Sequence, residues 1–360
     1  MSTRALKATV ARIAIFAAAS APETSSVGSD SANPSFCASA SASSYVAPCS
    51  ISVSMKLVVP FTIPSTRWTF VTTSDSRSTL ITGIVNGTTN FMLTKMEAGA
   101  TYEEALREAQ ERGFAEADPT ADVSGADAAA KMAILATVAF NSRFGLEDVE
   151  VCGIDEITPL HVAAARELEM VIRLVGMARL DGGQVDIRVG PALVDRHHPL
   201  AAVEGAFNAV MLQGDAIREI TLEGPGAGGI ETASAVIADM ASVIGTMGTG
   251  FLQNDPVWRN LPRLEPGDSR APFYFHLTVD DRPGVLARVA DRLAQSEVSV
   301  ARLLQHQNGD GAALHVVTHD TRQGALDEAL AAIAAMDEVR GKPLPFPVVT
   351  ERGVTGLAWA

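Results

Sequence analysis

Asp127 and Lys131 stand four residues apart in ADAAAKMAILA, and the stretch before them, EADPTAD, adds Glu116, Asp118 and Asp122. On a helix an i,i+4 pair shares one face. Two readings follow. The pair is a solvated surface ion pair, worth about 0.3–0.5 kcal/mol. Or, because the rest of that helix is Ala-rich and buriable, Glu116, Asp122 and Asp127 converge on one ammonium, bind a substrate amine and let the lysine move a proton. Upstream, the β-branched run LITGIV runs into Asn86-Gly87-Thr88-Thr89-Asn90. A strand, a glycine turn and a helix start place backbone N–H groups at a mouth that can hold a polar ligand; an ordinary strand-to-helix connection has the same pattern. Residues 224–229, GPGAGG, fit G-x-G-x-x-G literally. The motif alone is weak, because no buried strand ending in an acid follows about 20 residues on. His197 and His198, before Pro199, read as solvated rather than as metal ligands. Cys37, Cys49 and Cys152 form neither a disulfide framework nor a metal cluster.

The elements that must position these groups are legible in outline. Residues 80–85 read as a buried strand and 91–97 as a helix. Thr101 and Glu104 make a capping box for a second helix reaching Ala109 and closed by Arg112-Gly113. Pro119 keeps 116–120 out of a helix interior, which puts Glu116, Asp118 and Asp122 on a loop. Ser124 caps a helix through Asn141 that turns Met132, Leu135, Ala136 and Val138 to the core. A helix over 159–174, a hairpin about Gly182-Gly183, strands at 206–215 and 216–224 and a helix over 231–244 follow. The fold class is α+β, a mixed, mostly antiparallel sheet with helices on one face, whose sheet can also serve as a dimer surface. After a Pro-containing linker (261–272) the order β-α-β-β-α-β, with its second helix over 321–336, reads as a ferredoxin-like layer.

The chain has 360 residues, 47% of them apolar and 19% charged, enough for about two to three domains and incompatible with disorder throughout. Its net charge of −14 speaks against a nucleic-acid coat, and no apolar run reaches the ~18 residues of a membrane span. Residues 1–78 differ from the rest: six basic and three acidic residues, 18 serines and prolines throughout. Arg4, Lys7 and Arg12 before the apolar run 13–19 resemble a targeting segment; the other reading is a low-complexity, disordered or misread start. Strands within 58–73 are the only regular elements expected there.

GIVNGTTNFMLTKM (83–96) and EADPTADVSGADAAAKMAILA (116–136) closely resemble the substrate domain of homoserine dehydrogenase, and the resemblance covers about residues 80–350. It implies reversible reduction of L-aspartate 4-semialdehyde to L-homoserine with NADP or NAD as cofactor, in threonine and methionine synthesis. It implies that Lys131 is the proton donor and acceptor, that Glu116, Asp122 and Asp127 hold the amino acid with Gly87 and Thr88 beside it, and that Asn86, Gly226 and Gly228 border the nicotinamide. Asp281-Arg282-Pro283-Gly284-Val285-Leu286 is similar to the opening of an ACT domain, a small-molecule regulatory module. That similarity implies an effector, L-threonine, at Asp281, Pro283 and Gly284; a ligand-free dimerisation module has the same layer. A cytoplasmic homodimer or homotetramer, with no nucleic-acid or membrane partner and no metal among these residues, completes the expectation. The implied domains are 79–260 for substrate and catalysis and 273–350 for the ACT module. The family's opening Rossmann unit has no counterpart in residues 1–78. The alternative reading is therefore a truncated, non-catalytic amino acid-binding or regulatory protein.

Overall fold

Residues 79–214, 219–246, 259–308 and 311–350 are described in a computed structural model of the chain; the expectations for residues 1–78 lie outside them. The β-branched run forms strand β1 (Thr79–Ile84), and helices α1 (Gly87–Glu97) and α2 (Tyr102–Glu111) follow, the latter with the Thr101–Glu104 capping box in place. The loop expected around Asp122 instead contains a helical turn, α3 (Thr120–Val123), because Pro119 restrains the residue before it and leaves the next turn able to wind. Helix α4 (Ala126–Phe140) buries Met132, Leu135 and Ala136 as expected, whereas Val138 lies on the outer face and is exposed. Gly125, at φ +82°, is its N-cap, and Ser124 Oγ makes only a long contact of 3.4 Å to the Ala126 N–H.

Strand β2 (Glu150–Val151) is short, and helix α5 (Pro159–Glu167) stops earlier than the expected 159–174. Glu169 takes φ +61° and ends the helix, and the run Met170-Val171-Ile172 then favours a strand. Strands β3 (Met170–Asp181) and β4 (Gln184–Asp195) form the expected hairpin, with Asp181 opposite Gln184 and both turn glycines at positive φ. Strands β5 (Phe207–Gln213) and β6 (Glu219–Pro225) are antiparallel to one another, and β1 lies between β5 and β3. His198 is buried, contrary to the solvated reading: its Nδ1 accepts from the Leu200 N–H at 3.2 Å and caps the short turn 199–202.

The second module contains β7 (Arg270–Ala271), β8 (Phe273–Asp280), α7 (Val285–Gln295), β9 (Val300–Asn308), β10 (Gly311–Thr318), β11 (Thr321–Arg322), α8 (Gln323–Ala334), β12 (Val339–Arg340) and β13 (Phe346–Val349). Its order β12-β8-β10-β9 is ferredoxin-like. The expected linker is pinned: the Val185 N–H donates to Pro262 O at 2.9 Å and the Leu264 N–H to Val185 O at 2.8 Å. Strand β13 pairs with β8 on one side and runs parallel to β4 on the other, so the two sheets are continuous. The core is shared as well, with Val171, Val194 and Ala209 in one apolar cluster with Phe273, Leu314 and Leu330. Helix α6 (Gly229–Thr246) belongs, with the segment from Ala227, to a second unit; Ile230, Ile237, Met240 and Ile244 are exposed along it.

A cluster of rings marks the seam between the modules. His161 of α5 meets Tyr274, His276 and Phe346 edge-on at centroid distances of 5.4–6.4 Å. The buried Tyr274 hydroxyl hydrogen-bonds His315 Nδ1 at 2.9 Å, and His306 Nε2 lies 3.0 Å from Glu167. Burial, reinforced by neighbouring imidazoles, lowers His161 and His315 each to about 4. The unfolded chain therefore binds protons between pH 6.5 and 4 that the folded chain refuses, so stability falls as pH drops through that window. Urea unfolding at pH 7 and pH 5 should show a loss on the order of 1–2 kcal/mol per imidazole, and His315→Gln should flatten the difference; an unchanged pH dependence in that variant would contradict the assignment.

Candidate active site

The site grows from the end of β1, where Val85 and Asn86 pass into α1. Asn86 caps that helix: its Oδ1 accepts from the Thr89 N–H and from Thr89 Oγ1, each at 2.9 Å. Its Nδ2 faces the other way and donates to Asp122 Oδ1 at 2.7 Å and to Asp127 Oδ2 at 2.8 Å. The same Asp127 oxygen lies 2.8 Å from Lys131 Nζ. Lys131 is 7% exposed and also donates to Val85 O at 3.0 Å. The i,i+4 pair is therefore no solvated surface bridge. Asn208 of β5 directs its Nδ2 to the same carbonyl at 3.5 Å.

Close backbone approaches hold these pieces. A side chain at Gly87 would set its Cβ 2.6 Å from Ala206 O, so the first turn of α1 lies directly on the loop before β5. Asn90 Nδ2 ties the same turn to Gly205 O at 2.9 Å, and Thr88 Oγ1 donates to Phe114 O at 2.5 Å. Gly176 of β3 faces Met132, where any Cβ would overlap that side chain, so α4 rests directly on the sheet and carries Lys131 down to Val85. Gly226 faces the Asn208 amide in the same manner.

Of the residues singled out from sequence, Asn86, Gly87, Thr88, Asp122, Asp127 and Lys131 lie together, with Gly226 beside Asn208. Glu116 is exposed on the loop before α3, where its backbone carbonyl accepts from Gln110 at 3.1 Å; among the described residues no hydrogen bond joins its carboxylate to the cluster. Gly228, at φ +147°, falls in the second unit. Asp281, Pro283 and Gly284 are exposed between β8 and α7, with Gly284 at φ +88° as the cap of α7. The sequence reading missed Asn208 and the Val85 carbonyl; a lone amide inside the apolar run AFNAVML was the available signal. Among the described residues, no group of three or more His, Cys, Asp or Glu could hold a metal ion, and no helix is long and apolar enough to cross a membrane.

The homoserine dehydrogenase family model matches residues 71–241, and the ACT domain model matches 277–338. The chain is 39% identical over 273 residues to homoserine dehydrogenase of Bacillus subtilis, covering 74% of this chain and 63% of that protein. It is 43% identical over 278 residues to the enzyme of Mycobacterium leprae, covering 72% and 62%. The crystal structure of homoserine dehydrogenase from Thiobacillus denitrificans superimposes with a TM-score of 0.72 at 35% identity, over 76% of this chain and 64% of that one. The chain thus spans just under two thirds of the length of these relatives. Fold and matches define an α+β layer of the kind found in this dehydrogenase family, joined to a ferredoxin-like ACT layer. The chain belongs to the homoserine dehydrogenase family and carries an ACT domain toward its C-terminus.

Asn86 links the helix cap to both carboxylates. Asn86→Ala should lower stability by about 2 kcal/mol, combining a lost N-cap with two carboxylates brought together without their shared donor. The urea unfolding midpoint measures this; an unchanged midpoint would contradict it.

Proposed function

We propose that the chain catalyses the reversible, NADPH- or NADH-dependent reduction of L-aspartate 4-semialdehyde to L-homoserine, with Lys131 as proton donor and acceptor. The observation that carries this reading is the buried Lys131 ammonium, held 2.8 Å from Asp127 and 3.0 Å from Val85 O. An ammonium has three donors. Two are committed to these partners, and the third is available for a substrate oxygen.

A nicotinamide cofactor, when bound, would supply hydride for the aldehyde carbon. Among the described residues there is no parallel βαβ crossover with a glycine turn of the kind that cradles a dinucleotide pyrophosphate. The groups present fit the reactive edge of the cofactor and not its phosphates, and the turn at Asn86–Thr88 with Gly226 is the part of the chain that would border it; Gly228 is proposed on the resemblance alone. As negative charge grows on the substrate oxygen, Lys131 stabilises it and delivers the proton. Asp127 keeps the ammonium aimed. Asp122 and Asp127 each retain acceptor capacity beyond the Asn86 bond, which suits them to a substrate α-ammonium, with Glu116 closing from the loop and Gly87 and Thr88 along the edge. Holding the amino group fixes the aldehyde relative to Lys131, an orientation effect.

The ACT module is assigned an amino-acid effector, L-threonine, bound where Asp281, Pro283 and Gly284 open α7, and the assembly is assigned as a cytoplasmic homodimer or homotetramer. Lys131→Met should lower turnover by ~10²–10⁴ in assays of homoserine-dependent NADP reduction while circular dichroism stays unchanged; near-normal activity would reject the lysine assignment. Absence of NADPH binding by fluorescence titration of the unmodified chain would favour the amino acid-binding alternative. Calorimetric titration of the full chain with L-threonine should give a saturable heat, and a flat titration would remove the effector.

A further inference from the structure

Buried and half-buried polar side chains that the site does not use converge where the two modules meet. Asp186 of β4 accepts from Arg188 Nε and Nη2 at 3.3 and 3.2 Å and from Ser269 Oγ at 2.6 Å, with Arg179 3.8 Å away. Arg188 also donates from Nη1 to Gln323 Oε1 at 2.9 Å. Gln323 Nε2 donates in turn to Glu150 Oε1 at 2.9 Å, and the other Glu150 oxygen lies 3.7 Å from Arg188. Gln323 is the first residue of α8, in the ACT module, and its N–H donates to Ser269 O at 2.8 Å. Glu150 is the first residue of β2, in the substrate domain.

The chain leaving β2 lies between this cluster and the site. Glu150 and Val151 pair with Arg188 and Val189, and the Cys152 N–H donates to Val189 O at 2.8 Å. The Ile154 N–H then donates to Val123 O at 2.8 Å. There is no slack. A Cβ at Gly153 would fall 2.5 Å from Val123 O, and one at Gly125 would fall 3.1 Å from Cys152 O. Val123 and Gly125 separate Asp122 from Asp127, the two carboxylates that Asn86 joins.

We propose that Glu150 and Gln323 are positioning residues: from the ACT module, Gln323 fixes the start of β2 through Glu150, and residues 152–154 in turn hold the 122–127 segment in the geometry that Asn86 and Lys131 require. The consequence for turnover rests on the reaction proposed above; the positional claim does not. The N-terminus of α8 is then the point through which the second module acts on the site.

The test uses the full chain and amide hydrogen exchange read by mass spectrometry. Gln323→Leu, which leaves Glu150 and Arg188 without their bridging amide, and Glu150→Ala should speed exchange across residues 120–130 by about tenfold or more, with α2 unchanged. Glu150→Gln, which keeps an acceptor for Gln323, should restore most of the protection, and Glu328→Ala, exposed on α8, should change nothing. In assays the two disruptive variants should raise the KM for homoserine more than they lower kcat. Exchange at 120–130 that stays at the unmodified rate while α8 loosens would overturn the proposal. So would uniform acceleration that includes α2, since that reports global stability alone. If the chain lacks dehydrogenase activity, the exchange comparison still decides the claim.

Discussion

The cluster depends on one amide. Asp122 and Asp127 bear like charges, and Lys131 balances only one of them, through Asp127. The Asn86 Nδ2 group donates to both carboxylates, while the Oδ1 of the same side chain is fixed by the first turn of α1. A freely rotating donor would let the acids separate into water. A donor locked by a helix cap sets their distance and ties it to the end of β1. The charge arrangement is thus referenced to the backbone of a central strand, the part of such a fold that opens least.

That reference is useful only if α4 reaches it, and here backbone shape decides. Gly176 lets Met132 seat on β3, which brings α4 close enough for Lys131 to meet the Val85 carbonyl. Gly87 does the same for α1 against the loop before β5. The parallel pairing of β13 with β4 extends the sheet into the ACT module, so the scaffold beneath the site and the module beyond it share strands as well as side chains.

Local chemistry was legible in the sequence wherever the determinant is local. The capping box at Thr101, the glycine hairpin at 182–183 and the order of elements in the ACT layer all follow from turn and cap rules. The misreadings are non-local. Met170 to Leu174 continue a helical pattern, and only the left-handed Glu169 and pairing with β4 make them a strand. Val138 has the right period for the core but faces away from the sheet. His198 looks like a polar loop residue until its cap to Leu200 is seen. The role of Asn86 was legible as a turn residue but not as a bridge, because its two acceptors lie 36 and 41 residues further along. Asn208 and Gln323 act only through partners that sequence spacing does not reveal.

The burial of Lys131 is the strongest argument that the cluster is more than scaffolding. Taking an ammonium and a carboxylate out of water costs several kcal/mol per ion, and a well-packed apolar pair is often as stable or more so. Helix α4 has the composition to do without the charge: Ala128, Ala129, Met132 and Ala136 bury on the same helix without any polar group. A methionine at position 131 would fill the same volume and need no partner. A charged pair here adds little to folding, and it takes the Val85 carbonyl and one Asn86 donor from purely structural use. Its geometry is nonetheless well defined, with two acceptors fixed for two of the three donors. A buried cation with one donor left over, beside acids that can still accept, is an arrangement that folding stability alone does not account for, and it is the physical support for the roles proposed above.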